Sequence, residues 1–164
     1  MIIQFWQDKG AKKINPDLFS IQADELAKSI NIERQNSRDK FNKSTQLRKF
    51  FDEVIRFQGM LQSNPEQFEE LLPYIKMLNA KAAYAAGRDL IGTEFKNFLS
   101  DSLKQVNSRE DFEIFCTFFE AFIGFYKFYA EKEKGGAVPG YQQHNNGGQQ
   151  QGGYKKSEPQ IFRK

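Results

Sequence analysis

Two kinds of charged cluster in this chain have residue types and spacing that could do chemistry. The acidic ones are Glu66/Glu69/Glu70 and Glu110/Asp111/Glu113. Paired carboxylates can pass a proton or hold a divalent cation, which would be the chemistry of a metal-dependent nuclease. Each group, however, follows a helix-opening signal, Pro65 in one case and Ser108 in the other. There the positive end of the helix dipole favours acids without any further role. His144 is the only histidine and Cys116 the only cysteine, so an intramolecular disulfide or a Cys/His zinc site is excluded. No phosphate-cradling glycine loop and no nucleophile elbow occurs. The expectation is a protein that is not an enzyme, with no catalytic residue, no metal and no cofactor.

The basic clusters suggest a different chemistry. Lys49 and Arg56 are seven residues apart, which sets them on one face of a helix about 10 Å apart along its axis. Arg48 flanks them. Lys81, Tyr84 and Arg88 repeat the pattern further on. Cations placed in this way can follow the phosphates of a nucleic-acid strand without reading its bases. The competing reading is a solvated helix face with intrahelical pairs such as Lys49–Glu53 and Arg48–Asp52. Spacing alone leaves both readings open, and Tyr84 is expected to be a packed ring.

The elements that must position these residues are helices. Leu18, Ile21, Leu26 and Ile30 predict one over about 17–30, followed by a polar loop or frayed linker over 31–43. Ser44 or Thr45 is expected to cap a second helix, with Leu47, Phe50, Phe51, Val54, Phe57 and Leu61 on its inner face. Ser63-Asn64-Pro65 is a turn. Beyond it Phe68, Leu71, Leu72, Ile75, Leu78 and Ala82 continue a third helix, with a kink or restart at Pro73 and an end at Gly87. Phe95, Phe98, Leu99 and Leu103 mark a fourth helix over about 93–106. A capping box over Ser108–Asp111 opens the fifth and longest. Its apolar line from Phe112 to Tyr129 is widened by Phe118, Phe125 and Phe128. A helix so apolar is either central to the bundle or covered on a second side by another chain. The opening residues, with Ile2, Ile3, Phe5 and Trp6, suit either a short strand or an arm docked on a neighbour.

The fold class expected is therefore all-α, a bundle of about five helices with a disordered C-terminal tail. The divisions are an arm and first helix over 1–43, a helical core over 44–134 and a Gly/Gln-rich tail over 135–164. The 17 phenylalanines can supply most of the core, at roughly 1.5–3 kcal/mol for each ring buried. The net charge of +3 comes entirely from the tail, where Lys155, Lys156, Arg163 and Lys164 face one acid, Glu158. Any nucleic-acid surface on the folded part must thus come from charges sorted onto one face. In the tail, Tyr141, Tyr154, Lys155 and Lys156 are expected to be solubilising rather than binding groups. MIIQFW is too short for a secretory signal and no apolar run nears the ~20 residues of a membrane span. A soluble, cytoplasmic protein without membrane contact is expected.

Three stretches carry a resemblance to a known family. STQLRKFFDEV (Ser44–Val54), AAYAAGRD (Ala82–Asp89) and DFEIFCTFFEAFIGFYKFYAEKE (Asp111–Glu133) resemble, in order, spacing and helical setting, the small subunit of the type III-A CRISPR effector complex, the Csm complex. The resemblance implies an all-α, non-catalytic structural subunit for antiviral defence. Copies of it would stack head to tail beside the other subunits of the complex. A basic face would line the channel where guide RNA pairs with target RNA. Target cutting in that family belongs to the backbone subunits, and the other activities to the large subunit. Carried over by position, the implied RNA-binding residues are Arg48, Lys49, Arg88 and Lys127. Helical geometry adds Arg56 and Lys81. The alternative function is a helical adaptor that binds only protein, through its aromatic helix. The balanced charge of the folded part suits head-to-tail stacking, with Glu66, Glu69 and Glu70 as the acidic partner surface.

Overall fold

A computed structural model of the chain describes residues 3–133. The tail from Gly135, expected to be disordered, lies outside the described residues, as do Ile2, Tyr141, His144 and Tyr154. The described residues hold six α-helices and one two-stranded ribbon: β1 (Trp6–Asp8), β2 (Lys13–Ile14), α1 (Ala23–Asn36), α2 (Ser44–Ser63), α3 (Phe68–Lys76), α4 (Leu78–Gly87), α5 (Thr93–Gln105) and α6 (Arg109–Glu133). A π-helical turn, Leu18–Gln22, leads into α1, and a 3-10 turn, Pro65–Gln67, leads into α3. The chain is all-α, as the periodicity predicts. No helix of the described residues is long and apolar enough to cross a membrane.

The apolar stripes read from the sequence meet in one core. It joins Leu18, Ala23, Leu26, Ala27 and Ile30 to the inner faces of α2, α5 and α6. Phe95 and Phe98 of α5 sit among Phe50 of α2 and Phe115, Phe119 and Phe122 of α6. The rings are tilted or edge-on, with Phe98 and Phe119 at 5.2 Å and 86°. Such contacts contribute about 0.5–1.5 kcal/mol each beyond burial. The longest helix is central: Phe118 is fully buried and Phe125 half-buried, and only Phe128 stands out at 43 % exposure. Its wide stripe is covered largely by α1, α2 and α5 of the same chain. Cys116 is buried there as a small apolar group, and burial pushes its thiol pKa well up.

Three local expectations are corrected. The polar stretch 31–43 is not a frayed linker. α1 runs on to Asn36 and ends in a Schellman turn, in which Arg38 N–H donates to Gln35 O (2.9 Å) and Asp39 N–H to Arg34 O (3.0 Å), with Arg38 at φ 56°. Asn31 and Arg34 are buried in mutual hydrogen bonds, and Asn42 is fully buried. Neither Ser44 nor Thr45 caps α2. Lys43 occupies that position and its carbonyl takes the first bond of the helix, from Leu47 N–H, but its ammonium has no acceptor to offer the free N–H groups of the first turn, so no side-chain cap forms. The restart expected at Pro73 falls at Met77, which separates α3 from α4. The missing Pro73 N–H leaves the ladder open, but the turn closes once more through Met77 N–H to Pro73 O (3.0 Å) before it breaks. α4 does stop at Gly87. The left-handed residue that turns the chain is nevertheless Asp89 (φ 56°), in a second Schellman turn with Leu90 N–H on Ala85 O.

Two polar clasps fix the bundle. The first ties α1 and the following loop to α5 and α6. Glu33 accepts from Thr93 N–H (2.7 Å) and Glu94 N–H (3.3 Å), capping α5 from a distance. Asn42 accepts from Gly92 N–H (2.7 Å) and donates to Glu33 (2.8 Å), while Tyr126 O–H donates to its carbonyl. A Cβ on Gly92 would lie 2.1 Å from the Glu33 carboxylate, so any larger residue there must push Glu33 out of the clasp. Of the two readings of the opening residues the short strand forms, beginning at Trp6, and the second clasp holds it to α6 of its own chain. Fully buried Asp111 accepts from Trp6 Nε1 (2.7 Å), Lys9 Nζ (2.8 Å) and Asn107 N–H (3.1 Å). Ser108 Oγ accepts from Asp111 N–H, so one half of the expected capping box forms. The acid turns to Asn107 in place of the residue it would cap.

Candidate nucleic-acid interface

On the outer side of α2, Lys49 and Arg56 stand about 20° apart around the axis, since each residue turns the helix by about 100°. α4 packs beside this face. Between the two helices runs a shallow groove lined by Lys49, Phe50, Glu53, Met77, Lys81, Tyr84 and Leu90, among others. Two helices therefore bring together cations that are 32 residues apart in the chain, Lys49 and Lys81.

Glu53 organises the cluster. Its carboxylate accepts from Lys81 Nζ across the helix pair and from Arg56 Nη2 at 3.2 Å. The Lys81 hydrogen bond, opposed by partial burial and aided by Arg56, holds the Glu53 carboxyl below its usual pKa. One anion thus faces Lys49, Lys81 and Arg56, and the patch stays net positive. Among the described residues Lys49 forms no ion pair, so the Lys49–Glu53 pair expected of a merely solvated face does not form. The Arg56 guanidinium lies over Phe57 at 4.4 Å from the ring centroid.

Arg88, just past α4, joins the same surface through Tyr84. Its Nη1 donates to the Tyr84 hydroxyl at 3.0 Å, and its guanidinium carbon lies 5.5 Å from the ring centroid. Tyr84 was expected to pack, yet it is 65 % exposed. The small residues of α4 explain this: Ala82 and Ala85 make the contacts with the core, which leaves Tyr84 on the outer face.

The other two residues singled out in the sequence stand apart from this group. Arg48 lies about 100° round α2 from Lys49 and forms the intrahelical pair with Asp52 at 2.7 Å. Lys127 is exposed on α6, which contributes no residue to the groove. Glu66, Glu69 and Glu70 are exposed around the start of α3. Among the described residues no group of three or more His, Cys, Asp or Glu is arranged to hold a metal ion.

What sequence reasoning missed is the part played by Glu53 and the apolar floor of Phe50, Met77 and Leu90. The i,i+3 spacing to Arg56 hinted at the first. Nothing in the sequence announced that Lys81 would reach the same carboxylate.

Residues 14–132 of the chain match the family model described as Csm2 Type III-A. The CRISPR system Cms protein Csm2 of Streptococcus thermophilus is 26 % identical over 104 residues, which cover 62 % of this chain and 84 % of that protein. No solved structure matches the chain significantly. The family match runs from β2 almost to the end of α6 and contains every residue of the groove. The chain belongs to the Csm2 type III-A family, the small subunit of the type III-A CRISPR Csm complex.

Proposed function

We propose that this subunit is non-catalytic and binds the phosphate backbone of RNA in the guide–target channel of its complex, through the cations of the α2–α4 surface. The observation that carries this reading is the convergence of Lys49, Lys81, Arg56 and Arg88. Two helices, one shared carboxylate and one tyrosine hydroxyl link them into a single patch. An exposed ion pair contributes only about 0–1 kcal/mol. Phosphate oxygens therefore replace Glu53 as partner of Lys81 and Arg56 at small cost. Such binding has no sequence preference, because phosphates carry none.

Copies of the subunit stack on one another and on other subunits. Lys49 sits in the second turn of α2, and Glu66, Glu69 and Glu70 lie beyond its far end, some 20 Å away. Unlike charges separated along one axis suit a head-to-tail array. The competing reading, a protein-only adaptor working through the aromatic helix, is poorly served by α6, whose rings are largely spent on the chain's own core.

The test is the assembled complex carrying Lys49→Ala, Lys81→Ala and Arg88→Ala together. Target RNA should be retained less well while the subunit stays folded and incorporated. Undiminished retention by that complex would refute the assignment. Loss of assembly on neutralising Glu66, Glu69 and Glu70 would support the stacking surface, and normal assembly would remove it.

A further inference from the structure

The groove between α2 and α4 has a floor that phosphates do not use. Phe50 and Ala85 are buried beneath it, while Met77, Leu90 and Tyr84 line it with exposed carbon. Lys49 and Lys81 belong to its two walls. An ionised phosphate gains nothing from an apolar surface, whereas a nucleobase, with its flat π-face, does. Base-on-ring stacking beside cations is how single strands are held without regard to sequence. Tyr84 is the one aromatic ring of the groove with most of its surface open. The hydrogen bond from Arg88 to its hydroxyl, together with the guanidinium near the ring, restrains its orientation.

We infer that the groove holds one unpaired base of a single-stranded RNA, stacked on Tyr84, with the adjoining phosphates at Lys49 and Lys81. This rests on the phosphate-binding reading of the same surface and adds to it a selection for unpaired nucleotides. A base inside a duplex has both faces covered by its neighbours and cannot enter without being extruded.

The experiment measures binding of the full chain to two labelled probes by fluorescence anisotropy, over a range of salt. One probe is a short oligouridine, and the other is the same sugar–phosphate chain lacking bases. The native chain should prefer the base-bearing probe. Tyr84→Ala should weaken that binding on the order of 10-fold, leave the abasic probe unaffected and keep the salt slope. Tyr84→Phe, which retains the ring, should keep most of the affinity. Lys49→Ala with Lys81→Ala should reduce the salt slope for both probes. Equal affinity of the native chain for the two probes would overturn the base slot. If the lysine variant still lost slope, the phosphate reading would survive. No binding of either probe at low salt would end both. If Tyr84→Ala left RNA affinity unchanged but released a neighbouring subunit from the complex, the groove would be a protein contact and the inference would fail.

Discussion

Two carboxylates in this molecule, Glu33 and Glu53, gather partners from another helix, and they do opposite things. Glu33 binds backbone N–H groups at the start of α5 and the side chain of buried Asn42, so every partner is fixed by the fold. Glu53 binds the ends of two long exposed side chains, Lys81 and Arg56, which can leave for another anion. A buried polar group that loses its partner costs about 1–3 kcal/mol, while an exposed ion pair is worth about 0–1 kcal/mol. The difference separates a clasp that holds the bundle from a placeholder on a surface meant to exchange partners.

The largest effect should come from the clasp. Asn42→Ala leaves Gly92 N–H and one Glu33 oxygen unpaired and should destabilise the chain by about 1–3 kcal/mol, read as a lower urea midpoint. RNA affinity of the folded protein should not change. Gly92→Ala should follow, at about 0.5–2 kcal/mol, since the added methyl displaces Glu33 and uncaps α5. If either change left stability intact, the two carboxylates would not differ as described.

The arm's clasp gives a pH test within the same comparison. Burial raises the pKa of Asp111, but the bonds from Lys9, Trp6 and Asn107 outweigh it and hold the carboxyl below its ordinary value. A depressed pKa contributes stability that is present above the unfolded value, about 3.9, and lost as pH falls through the folded one. Trp6 is the only tryptophan, so its fluorescence should report the arm leaving α6 only below about pH 4. Undocking near neutral pH would contradict this.

The smallest effect on stability belongs to Glu53→Gln, within about 1 kcal/mol. That change should tighten RNA binding, because the competing anion is removed from Lys81 and Arg56. Weaker binding would mean that Glu53 positions the cations rather than merely occupying them.

The same contrast explains what could be read from the sequence. Apolar stripes such as Leu47/Phe50/Val54/Phe57 and Phe112/Phe115/Phe119/Phe122 are periodic, and periodicity predicts which face is buried. The clasp is built from Glu33 and Asn42, which hydropathy assigns to a loop. Their placement depends on partners on α5 and α6, some 50 to 80 residues away along the chain. In the groove, the pairing of Lys49 with Arg56 on one face follows from helical spacing alone. The Lys81–Glu53 contact does not, since it arises from how α4 lies against α2. Arg48 looked equivalent to Lys49 in the one-dimensional pattern and is turned away by a single residue's rotation.

The measurement that bears most directly on the account is the salt dependence of RNA binding by the native chain and by Lys49→Ala with Lys81→Ala. Each lost phosphate contact should reduce the slope of log affinity against log salt by about 0.7 for a single strand, with the urea midpoint nearly unchanged. Identical slopes for the two proteins would contradict the claim that the α2–α4 cations lie on the RNA backbone.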